Sequence, residues 1–353
     1  MNARFTQFAG SIIISTLCLS LSVHGFNDEL DYTFSGQLAL QYSGYFGDED
    51  PAAGFVLPDD EYMLRKAAIC LEGRYGKYVT FGMEIGSERC PSSASDAVKV
   101  LDGFLFFAPT ETFKIGMSRG HVLRGYQLNH DCTDLLTGEK VRWTKAVAAC
   151  HPTGMVARFD TSFATGGALA LEFSYNNGPN TEKIEDEHDL NIGIQYDTPV
   201  DGLSLTGFYT DIEADFDLDQ TIDKGDRMGI GARYDNGTFV LGGEYYSING
   251  IASPFETVSN NDLEMRAWYM ESGYRFKTGE MFPYIQPYVR YQVWDKGTNA
   301  PGDNEYHYLD VGLTAGIGGF DAFLRIDYQT RIGEPDNVID EEDMLIVRLQ
   351  LNL

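Results

Sequence analysis

The chain has 353 residues, of which 13% are aromatic and 38 are glycines. Its formal net charge of -27 argues against a nucleic-acid partner, because the phosphate backbone would repel it. Beyond the N-terminal region no segment approaches the run of about 20 apolar residues that a membrane helix requires. The mature chain is therefore expected to be either soluble or a β-barrel.

Residues 1–25 have the features of a secretory signal peptide. Residues 11–23 form an apolar core too short to span a bilayer, and Val23-His24-Gly25 fits the small-residue rule for cleavage. A lipoprotein signal at Cys18 is the alternative, but the bulky leucine before it disfavours that interpretation. We predict that residues 1–25 are removed on export, which leaves a single domain over residues 26–353.

The dominant pattern in the rest of the chain is alternation of apolar and polar residues. Residues 188–197 (HDLNIGIQYD) and 322–329 (AFLRIDYQ) are typical examples. A period of two over about ten residues predicts strands that each have one apolar and one polar face. We predict sixteen, near residues 32–43, 62–75, 78–86, 99–108, 111–118, 153–164, 167–175, 188–197, 203–211, 227–235, 238–247, 264–276, 282–294, 305–317, 319–331 and 343–353.

The connections between these strands alternate between tight turns and long acidic loops. Asn236-Gly237 is a strong hairpin turn, whereas residues 44–61 carry six acids and no base. Such one-sided sorting is typical of an all-β, transmembrane antiparallel β-barrel with short periplasmic turns and long extracellular loops. A soluble β-sandwich would also show alternation. It is disfavoured by the loop sorting and by the tyrosines and phenylalanines that recur at the strand ends.

If the aliphatic residues face lipid, the alternating polar residues face the lumen. An Arg or Lys on the lipid face near the midplane would cost about 2–4 kcal/mol. A barrel of about sixteen strands is wide enough to enclose an aqueous channel. The charged residues predicted to line it are Lys66, Glu72, Arg74, Glu84, Lys114, Arg158, Glu172, Asp189, Arg233, Glu244, Glu271, Arg275, Arg290, Asp310, Arg325, Asp327 and Arg348. Among them, the predicted pore-wall arginines are Arg158, Arg233, Arg290, Arg325 and Arg348.

Residues 119–152 form the longest connection and differ from the other loops in charge. Loops of this length are usually functional, and we predict that this one folds into the barrel as a constriction. The alternative is a surface insertion. Its basic residues are the predicted constriction and solute-binding residues: Arg119, Arg124, Lys140, Arg142 and Lys145.

Four cysteines follow the signal peptide, and an oxidising compartment would permit disulfides. Cys132 and Cys150 could close a bond within the 119–152 loop and stiffen it. Pairing with Cys90 of the preceding long loop is the competing connectivity. Cys70 lies on a predicted strand and is expected to be a buried thiol.

The pattern resembles the phosphate-selective porin O and P family of Gram-negative outer membranes. The stretches that carry the resemblance are RKAAICLEGRYGKYVTFGMEIG, FKIGMSRG, LEFSYNNGPN, LNIGIQYDTPVDGLSLTGFY, IQPYVRYQ and VRLQLNL. The resemblance implies a homotrimeric, sixteen-stranded outer-membrane channel whose third long loop folds inward. It also implies passive diffusion of small hydrophilic solutes and ions, with anions such as phosphate among them, and contact with membrane lipid and lipopolysaccharide.

The charge pattern departs from the phosphate-selective members, which guide anions with a dense ladder of basic residues. Here the predicted lumen residues are balanced in sign, so phosphate selectivity is doubtful. A plugged or adhesive structural barrel that does not conduct is the alternative function.

No enzymatic activity or cofactor is predicted. The sequence contains no H-E-x-x-H motif, and the histidines show no triad-like spacing. Residues 215–226 place Asp215, Asp217 and Asp219 as in a calcium loop. The glycine and the closing glutamate of such loops are absent, so this is a weak metal candidate.

Overall fold

A computed structural model of the chain describes residues 30–46, 61–88, 98–120, 122–130, 135–137, 140–141, 152–177, 188–214, 223–250, 263–300, 304–332 and 343–353. The predicted signal peptide, residues 1–25, lies outside them. Across these ranges no helix has the length and apolar character needed to cross a membrane.

Strands make up nearly all of the described structure. Their bounds are β1 Leu30–Phe46, β2 Glu61–Tyr75, β3 Val79–Glu88, β4 Lys99–Phe107, β5 Phe113–Arg119, β6 Thr153–Ser162, β7 Ala168–Asn177, β8 His188–Asp197, β9 Leu203–Ala214, β10 Asp223–Asp235, β11 Phe239–Asn249, β12 Glu264–Tyr274, β13 Phe276–Lys277, β14 Tyr284–Asp295, β15 Glu305–Ile317, β16 Ala322–Ile332 and β17 Asp343–Asn352. A single four-residue helix, α1 (Tyr126–Asn129), lies among the described residues between β5 and β6. The two-residue β13 continues β12 after a break at Arg275, and both pair with β14. The wall therefore has the sixteen strands that the alternation predicts.

The sheet closes on itself. β1 pairs antiparallel with both β2 and β17, so the first and last strands join. The last residue belongs to this seam: the Leu353 amide donates to the Gly36 carbonyl at 2.7 Å, and the Gly36 amide donates back at 2.8 Å. Closure pairs the first strand with the last, so neither is an open sheet edge. In hydrocarbon each unsatisfied backbone group of an open edge would cost roughly several kcal/mol.

Neighbours in the sheet are neighbours in sequence and antiparallel, which places all short connections at one end of the barrel. The predicted Asn-Gly turn is present between β10 and β11. Gly237 has φ +78°, a conformation that glycine adopts without a steric penalty. The Asn236 side-chain oxygen accepts hydrogen bonds from the amides of Thr238 and Phe239 at 3.0 and 2.8 Å.

The two faces of each strand divide as predicted. On β16, Ile326 and Tyr328 are 40% and 37% exposed on the outer surface. Arg325, Asp327 and Gln329, which alternate with them, are at most 5% exposed and face the interior. Strand alternation alone does not explain why so many inward-facing charged side chains are buried. They are buried because a segment of the chain crosses the lumen.

Candidate functional site: the barrel lumen

Part of the 119–152 loop lies inside the barrel. We call residues 122–141 the crossing segment, of which 122–130, 135–137 and 140–141 are described. Its first contacts are with β7 and β8. The Leu123 amide donates to Glu172 Oε1 at 2.8 Å, and the Arg124 guanidinium lies 2.7 Å from Asp189 Oδ2 and 3.3 Å from Asn191 Oδ1. Since both side chains of the Arg124–Asp189 pair are 2% exposed, this is a fully sealed ion pair.

Helix α1 is held by one carboxylate from the opposite wall. Glu244 on β11 accepts from the Tyr126 amide at 2.6 Å and from the Gln127 amide at 3.0 Å. The hydroxyls of Tyr246 and Tyr269 donate to the same carboxylate, each at 2.8 Å. The first amides of a helix have no partner within the helix. Glu244 supplies that partner, and the charged acceptor makes these hydrogen bonds strong.

Apolar contacts continue along the segment. Leu128 and Val141 belong to a buried cluster with Phe208, Tyr246, Ile248, Leu263, Met265, Ala267 and Tyr269. Leu136 packs with Val240 and Tyr288. The Thr137 carbonyl accepts from the Arg325 guanidinium at 2.9 Å. The crossing segment therefore extends from β7 across β11 and β12 to β16.

Close approach of the crossing segment to the wall depends on a glycine. A Cβ at Gly193 on β8 would lie 2.0 Å from the Leu123 carbonyl oxygen, far inside contact distance. Because that atom belongs to the backbone, it could not move aside without displacing the segment.

The five basic residues predicted for the constriction have different surroundings. Arg124 is neutralised by Asp189, and Lys140 is buried. The Arg119 guanidinium donates to the Val100 carbonyl at 2.9 Å and to the Thr153 hydroxyl at 3.2 Å. Its position on β5 alternates with lumen-facing residues and so belongs to the face of Met117, but Arg119 also borders the lumen cavity described below. The other two predicted residues, Arg142 and Lys145, lie outside the described residues.

The predicted pore-wall arginines all lie on lumen-facing positions, but four of the five are covered. Arg233 lies 2.5 Å from Glu271 and 4.0 Å above the Tyr126 ring. Arg290 pairs with Asp310 at 2.6 Å, both essentially unexposed. Arg325 bonds the crossing segment, and Arg348 donates to Gln41 Oε1 at 2.9 Å. The fifth arginine, Arg158, has a side chain that is 32% exposed.

Arg158 belongs to a part of the lumen that the described crossing segment does not cover. We call the lumen-facing residues of β2–β6 the open side, and those of β8–β12 and β14–β17 the packed side. The open side borders a cavity of about 230 Å³, whose lining includes Glu72, Glu84, Asp102, Lys114, Arg158 and Glu172. Lys114 and Arg158 share Asp160, at 3.5 and 2.8 Å.

Cys70 also lines this cavity and is a free thiol, partly exposed instead of buried as expected. The disulfide candidates Cys132 and Cys150, with Cys90, lie outside the described residues. The calcium candidates Asp215, Asp217 and Asp219 do too. The disulfide and the calcium site therefore stay predictions.

Two features of the site were not singled out from the sequence. Glu244 was assigned to the lumen, but its role as the acceptor for α1 depends on residues 118 positions away. Phe104 and Phe106 carry an apolar surface into the lumen. The sequence does indicate these two residues, because β4, KVLDGFLFF, is apolar on both faces after Asp102.

No family model and no curated protein sequence matches the chain. Among solved structures it is similar to OmpF of Salmonella typhi, with 14% identity and a TM-score of 0.63 over 94% of this chain and 100% of that chain. The outer membrane channel DcaP of Acinetobacter baumannii gives 12% identity and a TM-score of 0.62 over 94% of this chain and 100% of that one. An anion-selective porin from Comamonas acidovorans gives 12% and 0.61 over 92% and 100%. At such identities the likeness shows the fold alone. The fold is a porin-type barrel.

Proposed function

We propose that the chain forms an outer-membrane channel for passive diffusion of small hydrophilic solutes and ions. The observation that carries the proposal is a closed barrel whose lumen keeps an open side, lined by partly exposed charged residues, next to a packed one. A charged side chain that faces water costs little free energy and can interact with passing ions. The same side chain facing lipid would be strongly destabilising. Diffusion through such a lumen requires no catalytic group.

Planar-bilayer recording of the purified protein tests the proposal. We expect discrete conductance steps in KCl, and liposomes containing the protein should swell in small sugars. A barrel that inserts but neither conducts nor admits sugars would instead be the plugged, adhesive barrel considered from the sequence.

We further propose a weak preference for cations over phosphate and other anions. Fixed charge lining the passage sets selectivity more strongly than distant loop charge, which salt screens within about 8–10 Å. The cavity lining holds four carboxylates, those of Glu72, Glu84, Asp102 and Glu172, and three bases, Lys114, Arg119 and Arg158. Lys114 and Arg158 also share Asp160. Acid is therefore in excess where the lumen is open.

The reversal potential in a KCl gradient measures this preference. A value displaced toward the potassium equilibrium potential supports it, and added phosphate should not block the KCl current. Displacement toward the chloride potential, or block by phosphate, would favour the anion-selective alternative.

We also propose that the chain resides in the Gram-negative outer membrane as a homotrimer, in contact with lipid and lipopolysaccharide. Support comes from the resemblance described above and from an outer surface rich in exposed apolar side chains, such as Tyr62, Ile69 and Ile230 at 71%, 65% and 69% exposure. Native mass spectrometry of the detergent-extracted protein should give three copies per particle. A monomer would contradict this part of the proposal.

A further inference from the structure

One carboxylate stands at the boundary between the two sides of the lumen. Glu172 lies on β7, the strand between the open side and the packed side. In the sheet register it pairs with Arg158 on β6 and with Gly193 on β8. Its side chain is only 5% exposed, yet it borders the 230 Å³ cavity of the open side. A group in this position can act on both sides of the lumen.

Toward the packed side, Glu172 holds the crossing segment. Its Oε1 accepts from the Leu123 amide at 2.8 Å. The Leu123 carbonyl lies against Gly193 and accepts from Asn191 Nδ2 at 3.4 Å. The backbone of Leu123 is therefore attached to β7 through its amide and to β8 through its carbonyl.

The backbone on either side of this attachment contains two glycines in unusual conformations. Gly120 and Gly125 have φ values of +142° and +106°. Glycine adopts such conformations readily but also has the most freedom to leave them. Gly120 borders the open-side cavity, so a shift of the segment at Leu123 would move an edge of that cavity.

Toward the open side, Glu172 faces a base. Its Oε2 lies 3.8 Å from Arg158 Nη1, and the Arg158 Nε donates to Asp160 Oδ1 at 2.8 Å. Lys114 lies directly opposite Arg158 in the register. Like charges in that arrangement repel each other. The Glu172 carboxylate therefore balances positive charge at the place where the lumen is open.

From this geometry we propose that Glu172 is a positioning residue with two separable roles in permeation. Its hydrogen bond to Leu123 fixes the edge of the crossing segment and so the width of the passage. Its charge, beside Arg158, contributes to the preference for cations. The proposal rests on the channel function proposed above and names the residue that links the width of the passage to its charge.

Two substitutions at Glu172 separate the roles. Glu172→Gln keeps an oxygen that can accept from Leu123 but removes the charge, which leaves three of the four lining carboxylates against three bases. The reversal potential in a KCl gradient should shift toward the chloride potential. The single-channel conductance should stay near the native value. It is recorded in 1 M KCl, where the Debye length of about 3 Å reduces the effect of a lost charge.

Glu172→Ala removes both the charge and the acceptor. We expect the same shift of the reversal potential, together with a higher conductance in 1 M KCl. Liposomes that contain this variant should also swell faster in raffinose, a trisaccharide, than those with the native protein or Glu172→Gln. A wider passage accounts for both of these additional changes.

Two further variants serve as controls. Gly193→Ala displaces Leu123 without altering any charge, so it should change the conductance and leave the reversal potential unchanged. It tests the width separately if Glu172→Ala does not insert. Asp310→Asn removes a carboxylate that pairs with Arg290 at 2.6 Å on the packed side. Channels of this variant should keep the native conductance and reversal potential.

The outcomes distinguish this proposal from the channel function. Equal conductance increases in Glu172→Gln and Glu172→Ala would overturn the role of the hydrogen bond. An unchanged reversal potential in both would overturn the role of the charge. Either result leaves the channel function intact. If the native protein shows no conductance, the channel function fails, and this proposal fails with it.

Discussion

The open and packed sides of the lumen are built from the same kinds of residue on the same kind of strand, yet their charges have different surroundings. On the packed side, Arg124 and Asp189 form a pair with both side chains 2% exposed. On the open side, the pair of Arg158 and Asp160 has side chains 32% and 40% exposed. The difference is the crossing segment, which covers one side in the described structure and leaves the other accessible.

The comparison teaches that lumen charge has two roles. A sealed pair matters for stability because removal of one partner leaves the other as an unpaired buried charge. Such a charge strongly destabilises the folded state. An exposed pair contributes little to stability, because solvent screens it. Exposed charges are, however, the ones that a passing ion meets. Substitutions on the packed side should therefore change stability, and those on the open side should change permeation.

The largest expected effect is from Arg124→Gln. It strands the Asp189 carboxylate inside the packed side, so the free energy of unfolding should fall by about 3–5 kcal/mol. Urea unfolding in detergent micelles measures it. The open-side control, Arg158→Gln, should cost less than about 1 kcal/mol. Equal losses would contradict the division into two sides.

Glu244→Ala should have the next largest effect. It removes the acceptor for the Tyr126 and Gln127 amides and for two tyrosine hydroxyls, which leaves buried donors unpaired at a cost of about 2–3 kcal/mol. Release of α1 should widen the passage and raise the single-channel conductance. Glu72→Ala is the matched control on the open side and should leave unfolding unchanged. An unaltered conductance in Glu244→Ala would show that this carboxylate does not hold the crossing segment.

Two lumen-facing glycines provide a matched pair of smaller changes. Gly193→Ala places a methyl group against the Leu123 backbone and should destabilise the barrel by about 1–3 kcal/mol through overpacking. Gly82→Ala meets only the Phe104 ring, which can rotate away, so its cost should stay below about 1 kcal/mol. Thermal unfolding in detergent compares the two variants. A larger loss for Gly82→Ala would reverse the assignment of the covered side.

The smallest effect on stability is expected for Glu72→Gln. Unfolding should change by no more than about 0.5 kcal/mol, as for exposed positions in general. The reversal potential in a KCl gradient should nevertheless shift toward the chloride potential, because acid is removed from the passage. Asp189→Asn, which alters a sealed carboxylate, should not shift it. A shift only in the packed-side variant would reject the open side as the ion path.

The sequence alone determined the strands and their two faces. These depend on alternation within about ten residues and on turn chemistry, both of which are local. Tertiary structure decided which lumen charges are sealed and which are exposed. Tyr126 and Glu244 are 118 positions apart, and Arg325 and Thr137 are 188 apart. No local pattern encodes such contacts, because they form only after the closed wall brings distant strands around one lumen.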